Sequence, residues 1–513
     1  FFLYRQYSTM TTTPPLWSWR STRLKVALVI MLAIYSSVSM RASLSMSIIC
    51  MVNSTAYEVP SENSSNISSI PHDGCPAHDE QTSAARRGYE GTLDWSPARQ
   101  STLFSASYYG SISTMLLSGP LADKYGPKRM LAGAISILVT MTLAAPSLAR
   151  LNYWAYYASR VVMGMGEGFV IPSSNAMGVR WYPPAEKSTM SALYTSGIQI
   201  AAGSSNLIGS LLCGVPILGG WPLIFYLFAL IGSIWLIIWL LFVTDHPSQN
   251  KFITVEERKY LEERVVRKSV SKVTIPWRKL FTSSEVYACL FCNFTTSFLV
   301  SINQNFLPLY FKEELRLPIS MNGLFTVLPF LTQLIAKNAS AHLADRIKSS
   351  GKMTPTAVVK VFQGFSSYGT TIAILCLAWL PSCNRPWIAA VVMVAYGIVF
   401  GAGMCGFMTS LMCIAPAYTG TLFSLSMACG QLSAVLATYT VAAVTHFGWP
   451  HKWLIIYTLG AVIQIFSGTV FIIFGSGEPA AWTKTDIVEK IEPASDKLLG
   501  DVELKKVQMI KDV

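Results

Sequence analysis

Residues Trp154–Gly178 read WAYYASRVVMGMGEGFVIPSSNAMG. A helix of about 20 apolar residues crosses a bilayer, and this stretch is long enough, yet it carries Arg160 and Glu167 within its apolar part. Seven residues is about two helical turns, so both charges fall on one face, roughly 10 Å apart along the axis. A charge near mid-bilayer costs at least about 2.5 kcal/mol on insertion scales, and it faces a bundle interior or a water-filled cavity. Gly164, Gly166 and Gly168 are interleaved with the charges, and glycine lets a second helix approach closely. The pair is either an internal salt bridge that fixes packing or the wall of a polar substrate path. Intramembrane ionisable residues favour the path.

Composition extends the membrane reading to the whole chain. Its 513 residues are 52% hydrophobic and 13% charged, with a mean hydropathy of +0.42, where a soluble protein carries about 25% charged residues. The net charge of +12 would suit nucleic acid, but the basic residues cluster in loops between apolar runs, as the positive-inside rule describes. Membrane lipid is therefore the expected surrounding, and no nucleic-acid partner is expected. The chain opens on Phe1, and Met10 is a candidate initiator. Arg5, Arg20 and Arg23 precede the first apolar run without a small-residue cleavage site, so no cleaved signal peptide is expected.

The ten cysteines are scattered, most of them within apolar runs. Cys289 and Cys292 form a CxxC, but no second pair or histidines accompany it, so packing rather than zinc is expected. Cys75 and Cys383 fall in loops assigned to one side, where a disulfide between them is open to test.

The first run, Lys25 to Val52, holds Arg41, which either snorkels to the interface or lies buried in a site. The loop from Asn53 to Arg99 carries the sequons at Asn53, Asn63 and Asn66 and an excess of acidic residues, which places it outside the cytoplasm. A segment from Thr244 to Glu285 is charged. Val255, Tyr260, Leu261 and Val265 have roughly helical spacing there, so an amphipathic helix on the cytoplasmic face is expected. The boundaries that follow are a tail at 1–23, six spans in 24–243 with the outer loop at 53–99, a linker at 244–285, six spans in 286–475 and a tail at 476–513. Basic residues at the start and in the linker put both termini in the cytoplasm.

The second run, Thr102 to Ala122, leads into GPLADKYGPKRM, Gly119 to Met130. This turn resembles the Gly-x-x-x-Asp-basic-x-Gly-x-basic-basic signature between the second and third helices of the major facilitator superfamily. The resemblance implies that Gly119, Asp123, Lys124, Gly126, Lys128 and Arg129 gate the cytoplasmic ends of the two bundles. A short echo supports it. Ser118-Gly-Pro-Leu-Ala-Asp-Lys returns as Ser340-Ala-His-Leu-Ala-Asp-Arg, which adds Asp345 and Arg346 to the gating set, and Gly397-x-x-x-Gly401 echoes Arg160-x-x-x-Gly164. The fold implied is all-α: a major facilitator fold of about twelve transmembrane helices in two pseudo-symmetric six-helix bundles, with the site between them.

Within the superfamily, the chain from about Leu24 to Trp482 is similar to the anion:cation symporter family, which includes sialin, the sodium/phosphate cotransporters and the vesicular glutamate transporters. The similarity rests on Arg41 in SLSMSII, WYPPAEKS at 181–188, EERKY at 256–260 and IAPAYTG at 414–420. It implies substrate contacts from Arg41, Arg160 and Tyr109, with a carboxylate at Glu167. Phe104, Thr296 and Met163 stand where individual branches keep a histidine, an arginine and a glutamate. Vesicular glutamate transport is disfavoured accordingly. Lys337, in FLTQLIAKNASAHLAD, has no counterpart in the resemblance; it either snorkels or supplies the cation that Thr296 does not.

Paired guanidinium groups suit an anion, since arginine binds carboxylate or phosphate bidentately and never deprotonates. Glu167 can carry a proton or bind sodium and so link cation and anion movement. The function expected is a secondary active transporter for a phosphate, carboxylate or acidic-sugar anion, coupled to Na+ or H+ by alternating access. An anion channel and a transport-inactive receptor of the same fold are the alternatives. No phosphate loop, HExxH or nucleophile set is present in the sequence, so neither an enzyme nor a cofactor or metal is expected. The protein is expected to be a monomeric glycoprotein in the plasma membrane or a lysosomal or vesicular membrane.

Overall fold

Every long apolar run of the sequence is helical in the computed structural model, which describes residues 16–53, 91–215, 220–264, 276–415, 418–447, 449, 451–480 and 482. Met10, Asn63, Asn66, Cys75 and Val265 lie outside the described residues. The first half comprises α1 (Thr22–Met51), α2 (Pro97–Tyr125), α3 (Pro127–Leu151), α4 (Tyr153–Trp181), α5 (Pro184–Thr195), α6 (Gly197–Cys213) and α7 (Trp221–Phe242). The linker carries α8 (Val255–Arg264) and the short α9 (Trp277–Leu280). The second half comprises α10 (Ser284–Glu313), α11 (Ile319–Ser349), α12 (Pro355–Trp379), α13 (Trp387–Ala402), α14 (Phe407–Ile414), α15 (Thr419–His446) and α16 (Lys452–Phe474).

Two of the twelve spans are broken. α5 and α6 meet at Ser196, where Gly197 presses against the Met31 carbonyl of α1. α13 and α14 are separated by a 3₁₀ turn over Gly403–Cys405, and the freed Phe407 amide donates to Gln363 Oε1 at 3.0 Å. Among the described residues, nine segments are long and apolar enough to cross a membrane. The others are α2, α4 and the α5–α6 pair, whose polar residues turn towards neighbouring helices. Ser105, Ser107 and Ser111 of α2, Arg160, Ser173 and Ser174 of α4, and Ser205 and Asn206 of α6 are all buried.

The halves repeat one packing scheme. α4 lies against α2 and α3, as α13 lies against α11 and α12. A β-carbon on Gly164 would strike the Ser107 backbone of α2, and one on Gly401, its counterpart in the echo, would crowd the Gln333 carbonyl of α11. The glycine echo in the sequence therefore marks equivalent close crossings.

The main contacts between the halves are α1 with α10, α2 with α15, and α6 with α11. The end of the bundle next to residues 54–90 is called here the loop end, and the end next to α8 the linker end. Towards the loop end the halves meet tightly: the Phe104 and Phe306 rings lie 5.0 Å apart, Ser45 Oγ donates to the Asn305 carbonyl at 3.0 Å, and Tyr109 donates to Tyr439 at 3.1 Å. Towards the linker end, β-carbons built on Gly119 of α2 or Gly420 of α15 meet nothing within 4 Å. Both positions are thus open at the linker end.

At that end α8 is tied to the first half by a buried carboxylate as well as by Leu261 and Tyr260, which pack on the core. Val255 is 85% exposed, so it does not join Leu261 in docking the helix. Glu257 instead caps α1 from outside, accepting from the Thr22 amide at 2.9 Å, the Arg23 amide at 3.1 Å and Arg23 Nε at 2.9 Å. A helix N-terminus is a ready anion site. Burial pushes the Glu257 carboxyl up, but these donors outweigh it and hold the group below the ordinary carboxylate range. Arg23 also pairs with Glu186 of α5.

A disulfide joins Cys50 of α1 to Cys213 of α6 at the loop end, a pairing that the sequence reading did not anticipate. Cys383 is disulfide-bonded as well. Cys289 and Cys292 carry free thiols facing Ser410 and Ser467 respectively, in separate helix contacts. The polar loop leaves and re-enters at one point, since Asn53 donates its amide to the Leu93 carbonyl at 2.9 Å.

Candidate functional site

Between the halves lies a cavity of about 150 Å³, lined on one side by Arg41 of α1 and Tyr108 of α2 and on the other by α10 and α15. Arg41 sits ten residues before the end of its helix and does not snorkel. Its Nε lies 3.3 Å from Glu167 Oε1, its Nη2 donates across the interface to Gln304 Oε1 at 3.0 Å, and its guanidinium stands over the Tyr108 ring. Tyr108 in turn shares its hydroxyl with Ser301 and Asn305 of α10. Arg41 keeps 15% of its side-chain surface and lines the cavity, while Glu167, 14% exposed, pairs with it without itself lining the cavity.

Arg160 differs in kind. It is 3% exposed and donates to Met163 Sδ and to the Arg41 carbonyl, each at 3.2 Å. Its Nε has no hydrogen-bond partner among the described residues. The carboxylate two turns away on α4 therefore pairs with Arg41 of another helix, and Arg160 staples α4 to the backbone behind that arginine. The structure also puts Tyr108, not Tyr109, against Arg41. Tyr109, one residue and about 100° further round the helix, is 40% exposed and bonds Tyr439.

Lys337 does not join Arg41 at the cavity. Its Nζ crosses between the halves to Thr195 Oγ1 at 3.2 Å, with no acidic partner among the described residues. The turn between α2 and α3 gathers on a residue that the sequence reading passed over, Asp245. It accepts from the Lys128 amide at 3.0 Å, lies 3.5 Å from Arg180 and abuts Gly126, whose φ of +88° favours glycine. Lys128 Nζ reaches the Leu240 carbonyl, Lys124 stands over the Tyr125 ring, and Arg129, Asp345 and Arg346 are exposed. These contacts of the turn lie within the first half.

This arrangement, two six-helix halves around a central charged cavity, has known counterparts. The family model described as Major Facilitator Superfamily matches residues 26–438. The chain belongs to the major facilitator superfamily. It is 31% identical over 490 residues to a Caenorhabditis elegans protein described as an uncharacterized transporter, slc-17.3, covering 92% of this chain and 91% of that one. It is 27% identical over 470 residues to the mouse sodium-dependent phosphate transport protein 3, covering 90% and 96%. The zebrafish vesicular glutamate transporter 3 is 27% identical over 434 residues, covering 80% and 71%. Among solved structures, a D-xylose–proton symporter matches with a TM-score of 0.62 at 15% identity, covering 87% of this chain and 97% of that one. This superfamily member is a multi-pass transporter rather than an enzyme, and its all-α, two-half fold agrees with the expectation from sequence.

Proposed function

We propose that this transporter carries an anion together with Na+ or H+, by alternating access between the two halves. The observation that carries this reading is the contact of Glu167 with Arg41, which lines the cavity. At about 4 Å and an effective dielectric near 20, such a pair attracts by about 4 kcal/mol before desolvation is counted. An anion entering the cavity competes with Glu167 for the guanidinium. Neutralising Glu167 with a proton, or screening it with sodium, releases Arg41 to the anion. Linkage makes the effect reciprocal: the anion raises the affinity for the cation by the same factor.

The relatives named for sodium-dependent phosphate transport and for vesicular glutamate transport support an anionic substrate. Arg41 also bonds Gln304 across the closed loop end, so movement of its guanidinium bears directly on that seal. In this reading the linker end and both termini are cytoplasmic, and Asn53, Asn63 and Asn66 face the opposite side as glycosylation acceptors. The molecule then stands open to the cytoplasm. Arg160 positions the Arg41 backbone, Lys337 serves the seam between α5 and α11, and the turn on Asp245 latches the halves in the opposite state. Uptake into proteoliposomes, with sodium and pH gradients varied separately, tests the reading. Saturable, gradient-dependent anion accumulation is expected, and anion flux indifferent to both gradients contradicts it.

A further inference from the structure

Each half of the molecule is entered at the linker end by an exposed tryptophan and arginine. Trp19 and Arg20 stand just before α1, in LWSWRSTRLK at 16–25, and Trp277 and Arg278 open α9 ahead of α10, in PWRKLFTSSEVY at 276–287. Trp17 and Trp19 are 69% and 84% exposed, and Trp277 and Phe281 are 50% and 47% exposed. Arg20, Lys25, Arg278 and Lys279 are exposed beside them. Arg20 and Arg278 make no ion pair among the described residues.

Both sets are held in place by their neighbours. Leu16 packs on the apolar core, and the Ser21 amide donates to the Ser18 carbonyl at 2.9 Å. Leu280 is fully buried and pins α9 to the second half. The Trp277 and Phe281 rings stack 5.8 Å apart, and the Phe281 amide donates to the Trp277 carbonyl at 2.9 Å.

A basic turn in water satisfies the charge bias of the linker end without any exposed ring. An indole has an apolar body and a polar N–H, and it settles at the level of the lipid headgroups. A guanidinium beside it meets the phosphate there with a two-pronged hydrogen bond. In a zwitterionic headgroup that phosphate is already balanced by the lipid's own cation. In an anionic headgroup it is not, so the charge on the protein complements the anionic lipid.

We propose that the two tryptophan–arginine entries bind anionic phospholipid in the leaflet at the linker end, one site on each half. A cytoplasmic leaflet supplies such lipid. The halves are then moored to the membrane surface separately, and each keeps its lipid when they move past one another. The transported anion plays no part in these sites, so either idea can fail while the other stands.

The test is thermal unfolding of the purified full chain in a neutral detergent. Three additives are compared: dioleoyl phosphatidylglycerol, dioleoyl phosphatidylcholine with the same acyl chains, and inorganic phosphate. Phosphatidylglycerol is expected to raise the melting temperature by about 3 °C or more beyond phosphatidylcholine, and inorganic phosphate is expected to leave it unchanged. Arg20→Gln, Arg278→Gln and Lys279→Gln together should abolish most of that difference. Arg385→Gln, an exposed arginine between α12 and α13 at the loop end, should retain it. The readout is a difference between two lipids on one protein, so a lower baseline in the variant does not disturb it. If the triple variant is not recovered folded, Arg278→Gln with Lys279→Gln should lose about half of the difference. Equal shifts from the two lipids, or a difference undiminished in these variants, overturn the lipid sites. A matching shift from inorganic phosphate overturns the lipid as occupant.

Discussion

Glu167 lies 3.3 Å from Arg41 of α1, although Arg160 shares its own helix two turns away. The carboxylate therefore bridges α4 to the arginine that lines the cavity. Removing a charge from either side of that contact changes the electrostatics of the site rather than the packing of one helix.

The two arginines should separate by readout. Arg41→Lys keeps the charge but loses the planar fork, and is expected to raise the KM for the transported anion about tenfold or more. Arg160→Lys, at a buried staple, is expected to lower the melting temperature of the purified protein while the anion KM in the surviving fraction changes little. Thermal unfolding in detergent and uptake kinetics in proteoliposomes check the pair, and a reversed pattern would exchange the two roles.

Glu257→Ala leaves Arg23 buried without one of its carboxylate partners. Breaking a buried pair in this way costs about 3–5 kcal/mol, so early unfolding and release of α8 to protease are expected. The sign of the pH effect follows from the depressed carboxyl. Its stabilisation is fully present above the unfolded value of about 4.3 and is lost as pH falls through the lower folded value. Proteolysis of α8 should therefore be unchanged between neutral pH and about pH 5 and rise only in stronger acid. A rise near pH 6 would assign the switch to another group.

The open positions at the linker end predict their own labelling pattern. Cysteine at Gly119 or Gly420, where added atoms meet open space, should react with a bulky water-soluble thiol reagent supplied from the linker side of sealed vesicles. Cysteine at Ser45, bonded across the closed loop end, should not react from the opposite side. Reaction of Ser45→Cys alone would mean that the protein rests open at the loop end.

Much of this fold was legible in the chain. Runs of about 20 apolar residues, the repeated Leu-Ala-Asp at 121–123 and 343–345, and the paired glycine series specify twelve spans in two halves, because helix length and close crossing depend on local sequence. The site was legible in part. Arg41 and Glu167 stand out because charge in an apolar run is costly, and the cost does not depend on the partner. Which arginine meets Glu167, and which of Tyr108 and Tyr109 faces inward, depends on helix rotation, which adjacent residues of one type do not encode. Gln304 and Asp245 carry no such signal. Neutral amides are tolerated in many helix contacts, and Asp245 lies in a polar stretch where any acidic residue reads as solvated. Cys50 and Cys213 had one usable clue: both stand at the same end of their spans, next to the loop assigned outside the cytoplasm.

The central claim, that Glu167 couples a cation gradient to an anion held by Arg41, is tested most directly with Glu167→Gln in proteoliposomes. The amide preserves size and hydrogen bonding and removes titration and charge. Anion exchange at equal concentrations on both sides needs no net cation movement and should persist. Accumulation driven by a sodium or proton gradient should fall to the passive level. Full gradient-driven accumulation by a normally folded Glu167→Gln protein would contradict the account and leave Glu167 as a structural partner of Arg41.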